Sequence, residues 1–414
     1  MQPVINRVEQ ALADLKQGKM IILTDDPDRE NEGDLIALAE YISPEIMNFM
    51  IRNGTGIVCL SATPTLLEKF KLPLMVDTTH NTSCRGTPFT ISIDAAHDIT
   101  TGVSAEDRAK TVLAFIANNA VENDLVRPGH IFPLQAKEGG VLERQGHTEG
   151  AIDLARLANC KPAAVLCEIM NTDGTMTCGK KLDEFAQEHQ LTMISIEDII
   201  TYRLSTENFI AEESTTTIPL TEYGSFQVTA IKEKMTNNEH LVFVKKQTNT
   251  DGPTLVRVHS SCKTGDIFSS ERCDCYKQLQ YALQRISKEG GVLIYLNQEG
   301  RGIGLFNKIC AYALQDQGYD TVDANLELGF PIDSRKYHIA ANILRNLNIQ
   351  RIRILTNNFE KMTDLKKYGI QHVEREATPS FSNKHNQIYL KTKKEKMNQA
   401  IQFESITELK GMTS

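Results

Sequence analysis

A polar stretch at residues 204–222, midway along the 414-residue chain, divides the sequence into two parts. The stretch is rich in Thr and Glu, and its apolar residues follow neither the helical nor the strand period, which predicts a polar linker. Globular domains usually hold about 100 to 200 residues, so a chain of this length has room for two. We therefore predict two domains, residues 1–203 and residues 204–414.

On both sides of this stretch, patterns typical of helices alternate with patterns typical of strands. In the first part, helices are predicted at 4–15, 107–118 and 148–159, and strands at 20–23, 56–60, 89–94 and 163–170. In the second part, helices are predicted at 277–287 and 307–317, and strands at 226–232, 241–246, 254–259, 292–296 and 351–355. These patterns predict two distinct α/β domains, each an α+β mixed-sheet sandwich. The C-terminal segment, with its lysine-rich run at 391–396, is predicted to form a solvated, partly ordered tail.

Charge, hydropathy and cysteine usage exclude several classes of protein. The chain has 45 Lys and Arg against 53 Asp and Glu, and a net charge of −8 argues against a nucleic-acid binder. Its apolar runs fall far short of the roughly 20 residues of a membrane helix. The N-terminus lacks the pattern of a signal peptide, so a cytoplasmic location is expected. Nine cysteines, an odd number, are more typical of reduced thiols and metal ligands than of disulfides.

An acidic loop follows the first predicted strand. Residues 24–34 (Thr-Asp-Asp-Pro-Asp-Arg-Glu-Asn-Glu-Gly-Asp) hold six carboxylates and one cation. Carboxylates crowded on a loop suit Mg²⁺ or Mn²⁺, which binds a few carboxylate oxygens and keeps sites for water and substrate. A solvated acidic turn is the alternative, and composition alone does not decide between the two.

A second polar cluster, residues 144–149 (Arg-Gln-Gly-His-Thr-Glu), lies where a loop enters a predicted helix. Thr148 is a candidate N-cap. The free N–H groups and the dipole of a helix N-terminus attract phosphate, and Arg144 adds a cationic donor. His147 is either a metal ligand or a structural hydrogen-bonding residue. His130 and Glu168 are open in the same way, because polar groups at strand ends either do chemistry or cap the strand.

Taken in order over residues 1–203, these segments resemble 3,4-dihydroxy-2-butanone 4-phosphate synthase. The resemblance lies in residues 28–34, 100–105 (Thr-Thr-Gly-Val-Ser-Ala), 127–130 (Arg-Pro-Gly-His), 146–149 and 167–168 (Cys-Glu). It implies conversion of ribulose 5-phosphate to L-3,4-dihydroxy-2-butanone 4-phosphate and formate, with Mg²⁺ or Mn²⁺. By position, the resemblance implies metal ligands at Glu30 and His147 and catalytic residues at His130 and Glu168. The implied sugar-phosphate ligands are Arg29, Asp34, Arg144, Gln145, Gly146 and Thr148.

Three cysteines lie close together in the second part, at Cys262, Cys273 and Cys275. Three thiols in such polar surroundings favour a soft metal, with zinc as the default, over free core cysteines. The fourth ligand is either water, as in catalytic zinc sites, or a residue such as Cys310. Cys310 lies in a predicted helix and is more typical of a core residue, so the open position is favoured.

A glycine-rich turn and a candidate ion pair complete the polar features of the second part. Residues 298–304 (Gln-Glu-Gly-Arg-Gly-Ile-Gly) follow a predicted strand and precede a helix, as phosphate-binding turns do. A tight strand-to-helix connection would have the same glycines, but Arg301 adds a cation. Asp333 and Arg335 would, taken alone, be read as an ordinary ion pair.

Together, the motifs over about residues 208–395 resemble GTP cyclohydrolase II. The resemblance lies in residues 257–262, 265–266, 272–275, 298–304, 311–316, 320–325 and 356–358. It implies opening of the guanine imidazole ring of GTP, with release of formate and pyrophosphate, to give a diamino-pyrimidinone ribosyl 5'-phosphate. By position, it implies zinc ligands at the three cysteines, Asp333 as proton acceptor, Arg335 as nucleophile and Tyr312 near the ring. The implied GTP contacts are Arg257, Val258, His259, Ser260, Ser261, Gln278, Glu299, Gly300, Arg301, Thr321, Thr356 and Lys361.

Three departures from the second pattern lie beside these positions: Ser261, Tyr276 and Asn297. Tyr276 stands where many members have glycine, and a left-handed backbone there would be strained for tyrosine. One alternative is therefore that only the first activity is live and the second domain is a zinc-stabilised interaction module. Asp333 and Arg335 are intact, which argues against that alternative. The two resemblances together imply a bifunctional enzyme of riboflavin biosynthesis that acts as a homodimer.

Overall fold

The computed structural model describes residues 2–247, 252–397 and 399–400. The chain divides into two compact units, and the division falls between residues 203 and 204. The first domain is Gln2–Arg203 and the second domain begins at Leu204. Each combines a seven-stranded mixed sheet with helices, so the predicted fold class is confirmed. Among the helices of the described residues, none has the length and apolar character needed to cross a membrane.

The first domain has its strands in the order β4-β5-β3-β6-β2-β1-β7. Its strands are β1 (Ile21–Thr24), β2 (Gly33–Leu38), β3 (Cys59–Ala62), β4 (Ile93–Ala95), β5 (Leu125–Gln135), β6 (Ala163–Glu168) and β7 (Thr192–Ser195). Its helices are α1 (Gln2–Lys16), α2 (Pro44–Phe49), α3 (Pro64–Lys69), α4 (Ala105–Ile116), α5 (His147–Leu157), α6 (Lys180–Glu188) and α7 (Ile196–Thr206). Helix α5 contacts β1, β2, β3 and β6, and its packing on the sheet buries most of its residues.

The second domain has the strand order β14-β13-β11-β12-β10-β9-β8. Its strands are β8 (Ile210–Leu220), β9 (Gly224–Glu233), β10 (Glu239–Lys245), β11 (Thr254–Ser260), β12 (Gly291–Leu296), β13 (Arg351–Leu355) and β14 (His372–Glu376). Its helices are α8 (Lys263–Asp266), α9 (Cys275–Glu289), α10 (Gly304–Asp316), α11 (Thr321–Glu327), α12 (His338–Asn346), α13 (Phe359–Lys367) and α14 (Gln387–Glu395). Neighbours from β14 to β12 are parallel, and those from β12 to β8 are antiparallel.

The predicted linker at 204–222 is wrong. Helix α7 continues to Thr206, and residues 210–220 form β8, which pairs with β9 over its whole length. Strand β8 lies at the edge of the sheet and is exposed at nearly every residue. Because neither face is buried, selection for a two-residue hydrophobic period is absent, and the strand resembles a linker in sequence. Its Thr residues are nevertheless good strand formers, and the hydroxyls of Thr215 and Thr229 hydrogen-bond across the strands at 2.9 Å.

The predicted solvated tail is also wrong, because part of it is the packed helix α14. Asn386 and Leu390 are fully buried. Together with Tyr389 and Lys393 they have the 3-, 4- and 7-residue spacing of one helix face. The run of lysines conceals this face in the sequence, since only one of them turns inward. Residues 401–414 of the predicted tail lie outside the described residues.

Candidate active sites

Polar residues of the first domain lie together at one edge of its sheet, the edge formed by the end of β1, the start of β2 and the end of β6. Strand β1 ends at Thr24 and β2 begins at Gly33, so the acidic loop between them lies at this edge. Asp34 is directly opposite Glu168 in the antiparallel pair of β2 and β6. Glu168 Oε2 accepts a hydrogen bond from the backbone N–H of Ile57 at 2.9 Å. The register therefore places two predicted site residues side by side on one face of the sheet.

The acidic loop is organised around the buried carboxylate of Asp25. This carboxylate accepts hydrogen bonds from the backbone N–H groups of Glu30 (3.1 Å) and Glu32 (2.9 Å). It also pairs with Arg29, whose Nη1 lies 2.8 Å from Asp25 Oδ2 and 2.5 Å from Glu30 Oε2. Burial by itself would raise the pKa of Asp25, but the hydrogen bonds from Glu32 and Arg29 outweigh it and keep that pKa below its ordinary value. These contacts hold the loop around Asp25, whose ionised oxygens face inward.

Asp25, Glu30 and His147 form a group whose candidate ligand atoms all lie within 4.8 Å of one another. His147 is the first residue of α5, which brings its ring against the acidic loop, and Nδ1 lies 3.9 Å from Glu30 Oε2. Burial lowers the pKa of His147 to about 4, so the ring is neutral at pH 7, as a metal ligand must be. Its Nε2 is buried and has no hydrogen-bond partner among the described residues. The donor set therefore fits a divalent cation.

Asp34 shows the same unmet need for a cation. Burial, together with the neighbouring carboxylates of Glu168, Glu32 and Glu30, raises the pKa of Asp34 well above its ordinary value. Its Oδ1 has no hydrogen-bond partner among the described residues. Such crowding of buried carboxylates is costly unless a positive charge compensates it.

The predicted phosphate ligands lie around the N-terminus of α5. Gly146 is its N-cap, and a Cβ there would lie 2.3 Å from Arg144 Nη1, so a side chain at this position would displace that guanidinium. Arg144 pairs with the buried Glu149, with 2.7 Å between Nη1 and Oε2. Thr148 is buried, and its carbonyl oxygen accepts a hydrogen bond from Ser61. Gln145 lines a cavity of about 470 Å³ that is also lined by Arg29, Arg85 and the acidic loop.

His130 lies at the same edge of the sheet but outside the three-residue metal group. Cys59 on β3 pairs with Phe132 on the parallel strand β5 and with Leu166 on the antiparallel strand β6. His130, two residues before Phe132, and Glu168, two residues after Leu166, therefore lie at the same end of the sheet. Only β3 lies between β5 and β6, so two ordinary strand spacings separate His130 from Glu168 by roughly 10 Å. His130 Nδ1 is 2.7 Å from Asp94 Oδ2, and the other Asp94 oxygen accepts the backbone N–H of His130 at 2.9 Å. This buried carboxylate fixes the orientation of the ring.

The three cysteines of the second domain converge as the sequence predicts. The Sγ atoms of Cys262 and Cys273 are 3.7 Å apart, and the three thiols form a group with candidate ligand atoms within 4.8 Å of one another. A Cβ at Gly265 would lie 2.8 Å from the Cys273 sulfur and 3.0 Å from the Cys262 sulfur. Glycine is therefore required beneath the cluster. The set of three thiols could hold a soft metal ion, and Cys310 is not part of it.

A buried lysine that sequence reasoning did not single out contacts this cluster. Lys308 Nζ on α10 lies 3.1 Å from Cys262 Sγ and 2.7 Å from Glu299 Oε1. Hydrogen bonding from Cys273 and Cys275 and the charge of Lys308 lower the pKa of the Cys262 thiol. The other oxygen of Glu299 accepts the backbone N–H of Lys263 at 2.7 Å. These contacts join the cysteine cluster to the glycine-rich turn.

The glycine-rich turn directs Arg301 into a cavity. Gly300 and Arg301 have left-handed backbone conformations, with φ of 60° and 61°. Both terminal nitrogens of Arg301 are buried without a hydrogen-bond partner among the described residues, and so is Gln298 Oε1. A buried guanidinium with free donors is a site for an anion, because phosphate oxygens would satisfy them. The turn is thus more than a tight connection between β12 and α10.

Asp333 and Arg335 form a partly buried pair in which Arg335 Nε lies 2.8 Å from Asp333 Oδ1. Burial would raise the pKa of Asp333, but the adjacent guanidinium outweighs this and keeps that pKa below its ordinary value. Lys361 is buried nearby and donates to the carbonyl of Val258 at 2.8 Å. Burial and the charges of Arg257 and Arg335 hold the pKa of Lys361 well below its ordinary value.

Two adjoining cavities collect nearly all the residues predicted for the second domain. One is lined by the three cysteines, Ser261, Glu299, Gly300, Arg301, Tyr312 and Thr321. The other is lined by Arg257, His259, Gln278, Thr356 and Lys361. Both are lined by Ser260, Cys275, Arg335, Tyr389 and Lys393. Val258 differs, because its side chain is fully buried in the core and only its backbone faces this region.

The departures in the second domain do not distort it. Tyr276 lies in the first turn of α9 and does not have a positive φ, so the backbone strain considered from the sequence is absent. The residue is 36% exposed. Ser261 contributes a buried hydroxyl without a hydrogen-bond partner in the described residues. Asn297 donates its backbone N–H to His240 Nδ1 at 3.0 Å.

Five residues at these sites escaped sequence reasoning: Asp25, Asp94, Lys308, Tyr389 and Lys393. Asp25 is the first acid after a buried strand, a position that could have marked it. The other four lie on strands or helices whose inward faces become evident only when neighbouring elements are in place.

Comparisons with known proteins agree with this division of the chain. Residues 9–202 match the sequence model of the family 3,4-dihydroxy-2-butanone 4-phosphate synthase, and residues 211–377 match that of GTP cyclohydrolase II. Riboflavin biosynthesis protein RibBA of Aquifex aeolicus (strain VF5) is 50% identical over 396 residues, covering 95% of this chain and 97% of the relative. The protein of the same name from Bacillus cereus (strain ATCC 14579) is 49% identical over 395 residues, covering 95% and 98%.

One solved structure has a related architecture. It is RibBX of A. baumannii, described as a two-domain 3,4-dihydroxy-2-butanone 4-phosphate synthase. It is 36% identical to this chain with a TM-score of 0.62, and the match covers 90% of this chain and 99% of that one.

Proposed function

The chain belongs to the bifunctional RibBA family of riboflavin biosynthesis, which joins a 3,4-dihydroxy-2-butanone 4-phosphate synthase to a GTP cyclohydrolase II, and we propose how its residues divide the work. The first domain converts ribulose 5-phosphate to L-3,4-dihydroxy-2-butanone 4-phosphate and formate. The second opens the imidazole ring of GTP and releases formate and pyrophosphate.

In the first domain, Glu30 and His147 hold Mg²⁺ or Mn²⁺, and Asp25 joins them. Such an ion stabilises the negative charge that develops when a proton is removed next to a carbonyl. Glu168 and His130 move protons, and Asp94 keeps His130 in one tautomer. Arg29, Asp34 and the N-terminus of α5, with Arg144, Gln145, Gly146 and Thr148, bind the sugar phosphate.

In the second domain, Cys262, Cys273 and Cys275 hold zinc. Zinc with three protein ligands makes a bound water acidic near neutral pH. Arg335 attacks the α-phosphate of GTP, the bond from that phosphate to the β-phosphate breaks so that pyrophosphate leaves, and Asp333 accepts the proton of Arg335 at a contact already formed. Tyr312 assists close to the guanine ring of GTP. Arg301 and the glycine-rich turn bind phosphate, and the remaining lining residues of the two cavities contact the nucleotide.

One observation carries the proposal for the second domain: buried polar atoms without partners converge on the two cavities. They include the Arg301 guanidinium, Gln298 Oε1 and the hydroxyls of Ser260 and Ser261, all within the described residues. A domain kept only for interaction has no need to bury unpaired donors and acceptors around a cavity, because each one costs free energy. The alternative of a zinc-stabilised interaction module is therefore not favoured.

We further propose that the protein acts as a homodimer in the cytoplasm. Symmetric oligomers are the usual state of soluble enzymes. Light scattering at working concentration should give a mass near twice the 46.3 kDa of the chain or a larger even multiple. A mass of one chain would contradict the dimer.

Formate release, measured separately from ribulose 5-phosphate and from GTP, tests the assignment. The wild-type protein should release formate from both. His147→Ala should stop release from ribulose 5-phosphate alone, and Arg335→Ala should stop release from GTP while GTP still binds. Loss of both activities in either folded variant would refute the two-site assignment.

A further inference from the structure

The helix α14 lies beyond the part of the chain that matches the cyclohydrolase family model, which ends at residue 377. It nevertheless contributes Tyr389 and Lys393 to the wall shared by both cavities of the second domain. We propose that α14 completes the GTP site, with Lys393 as a ligand of the triphosphate and Tyr389 as a positioning residue for Arg301. The inference rests on the proposed cyclohydrolase function and deepens it.

Several contacts hold α14 in place over the cavities. Leu390 and Asn386 are fully buried on its inner face. Asn383, just before the helix, donates to the carbonyl of Glu271 at 3.1 Å, close to the cysteine cluster. At the other end, Lys396 Nζ lies 2.9 Å from Asp323 Oδ1 on α11. The helix is therefore tied to two separate parts of the second domain, and its inner face cannot turn away from the site without breaking both.

Lys393 lies beside the proposed position of the GTP α-phosphate. Because Arg335 is the residue proposed to attack the α-phosphate and also lines both cavities, this phosphate has to lie at the wall that they share. Lys393 lies at the same wall. Its Nζ is 3.5 Å from Asp274 Oδ1, a long contact that occupies at most one of the three N–H donors of an ammonium group. A side-chain hydrogen bond with Tyr389 occupies a second donor, so one donor is left to bind a phosphate oxygen.

Tyr389 organises the cations on this side of the site. Its ring has Lys393 Nζ at 4.2 Å from the centroid and Arg301 Cζ at 5.6 Å. Contacts of this kind between a cation and an aromatic face stabilise the position of both groups. Arg301 has no hydrogen-bond partner for its terminal nitrogens in the described residues, so the ring of Tyr389 is a contact that can hold the guanidinium before substrate binds.

The test compares Lys393→Gln with Lys391→Gln in the full-length, zinc-loaded protein. Lys391 is on the same helix but exposed, so its variant removes the same charge away from the cavities. Calorimetry measures the binding of the α,β-methylene analogue of GTP. Steady-state kinetics with GTP itself give KM and kcat, and the inhibition constant of guanosine is measured in the same assay. We expect Lys393→Gln to weaken analogue binding and raise KM about 10- to 100-fold, as for loss of a hydrogen bond between charged groups.

Further measurements separate a phosphate ligand from a structural residue. Guanosine inhibition should change less than twofold in Lys393→Gln, zinc content should be unchanged, and Lys393→Arg should recover much of the analogue affinity. Tyr389→Leu should raise KM for GTP by a smaller factor. Analogue binding in Lys393→Gln within twofold of Lys391→Gln, or equal weakening of guanosine and the analogue, would overturn the inference. Should wild-type protein fail to turn over GTP, the proposed function fails, and the calorimetric comparison still decides the role of Lys393.

Discussion

Replacing Lys308 by methionine should weaken zinc binding without unfolding the second domain. Lys308 Nζ is 3.1 Å from Cys262 Sγ and 2.7 Å from Glu299 Oε1, and the residue is 8% exposed. A Zn²⁺ ion bound by three thiolates would have a net charge of −1, and the ammonium group would neutralise it. Methionine fills a similar volume but removes both the charge and the hydrogen bonds.

The size of the effect follows from these contacts. Loss of a partner that hydrogen-bonds a metal ligand typically costs 10- to 100-fold in metal affinity, or about 1.4 to 2.8 kcal/mol. Glu299 would also lose its buried cation, although the Lys263 backbone N–H at 2.7 Å still supports its other oxygen. We therefore expect the effect to lie toward the upper part of that range.

Competition with a chromophoric zinc chelator at pH 7 measures this affinity directly. Lys288→Met is the matched control, since Lys288 is an exposed lysine on another helix of the same domain. Formate release from ribulose 5-phosphate should be unchanged in both variants, which checks the first domain. Zinc affinity in Lys308→Met within twofold of the control would show that the lysine does not support the metal.

Three further predictions concern other residues. Gly102→Ala should lower formate release from ribulose 5-phosphate at least tenfold, because the new Cβ would lie 2.2 Å from Asp94 Oδ2. Gly174→Ala is the control and should leave formate release unchanged, because Gly174 has a similar positive φ but no neighbour within 4 Å of the new Cβ. Cys273→Ser should lose zinc by metal analysis, and full zinc occupancy would exclude Cys273 as a ligand. Glu233→Gln should destabilise the protein by about 2 kcal/mol in urea at pH 7, because the buried Glu233 accepts hydrogen bonds from Thr236 and His338. Burial would raise the pKa of Glu233, but these hydrogen bonds and one with His240 outweigh it and lower that pKa. The difference in unfolding free energy between wild type and Glu233→Gln should therefore shrink as the pH falls below about 4, where Glu233 begins to be protonated in the unfolded chain. A difference that stays constant with pH would contradict this origin.

The sequence by itself determined the chemistry of this protein. Cysteines, histidines and carboxylates are needed as particular residue types at particular spacings, so Cys262, Cys273, Cys275 and the acidic loop are recognisable without a fold. The alternation of helical and strand patterns likewise predicted two α/β domains. These signals are local, and they survive in one dimension because each depends on residues close together in the chain.

Only the tertiary structure decided which face of each element turns inward. Strand β8 has no buried face, so its exposed Thr and Glu residues gave the pattern of a linker, and pairing with β9 made it a strand. Helix α14 has the reverse character, because its lysines suggest solvent while Lys393 and Tyr389 turn toward the cavities. Lys308 and Asp94 are similar: a charged side chain is ordinary on a surface and informative only when buried beside a thiol or a histidine. Burial depends on partners distant in the chain, and a single sequence does not specify where those partners lie.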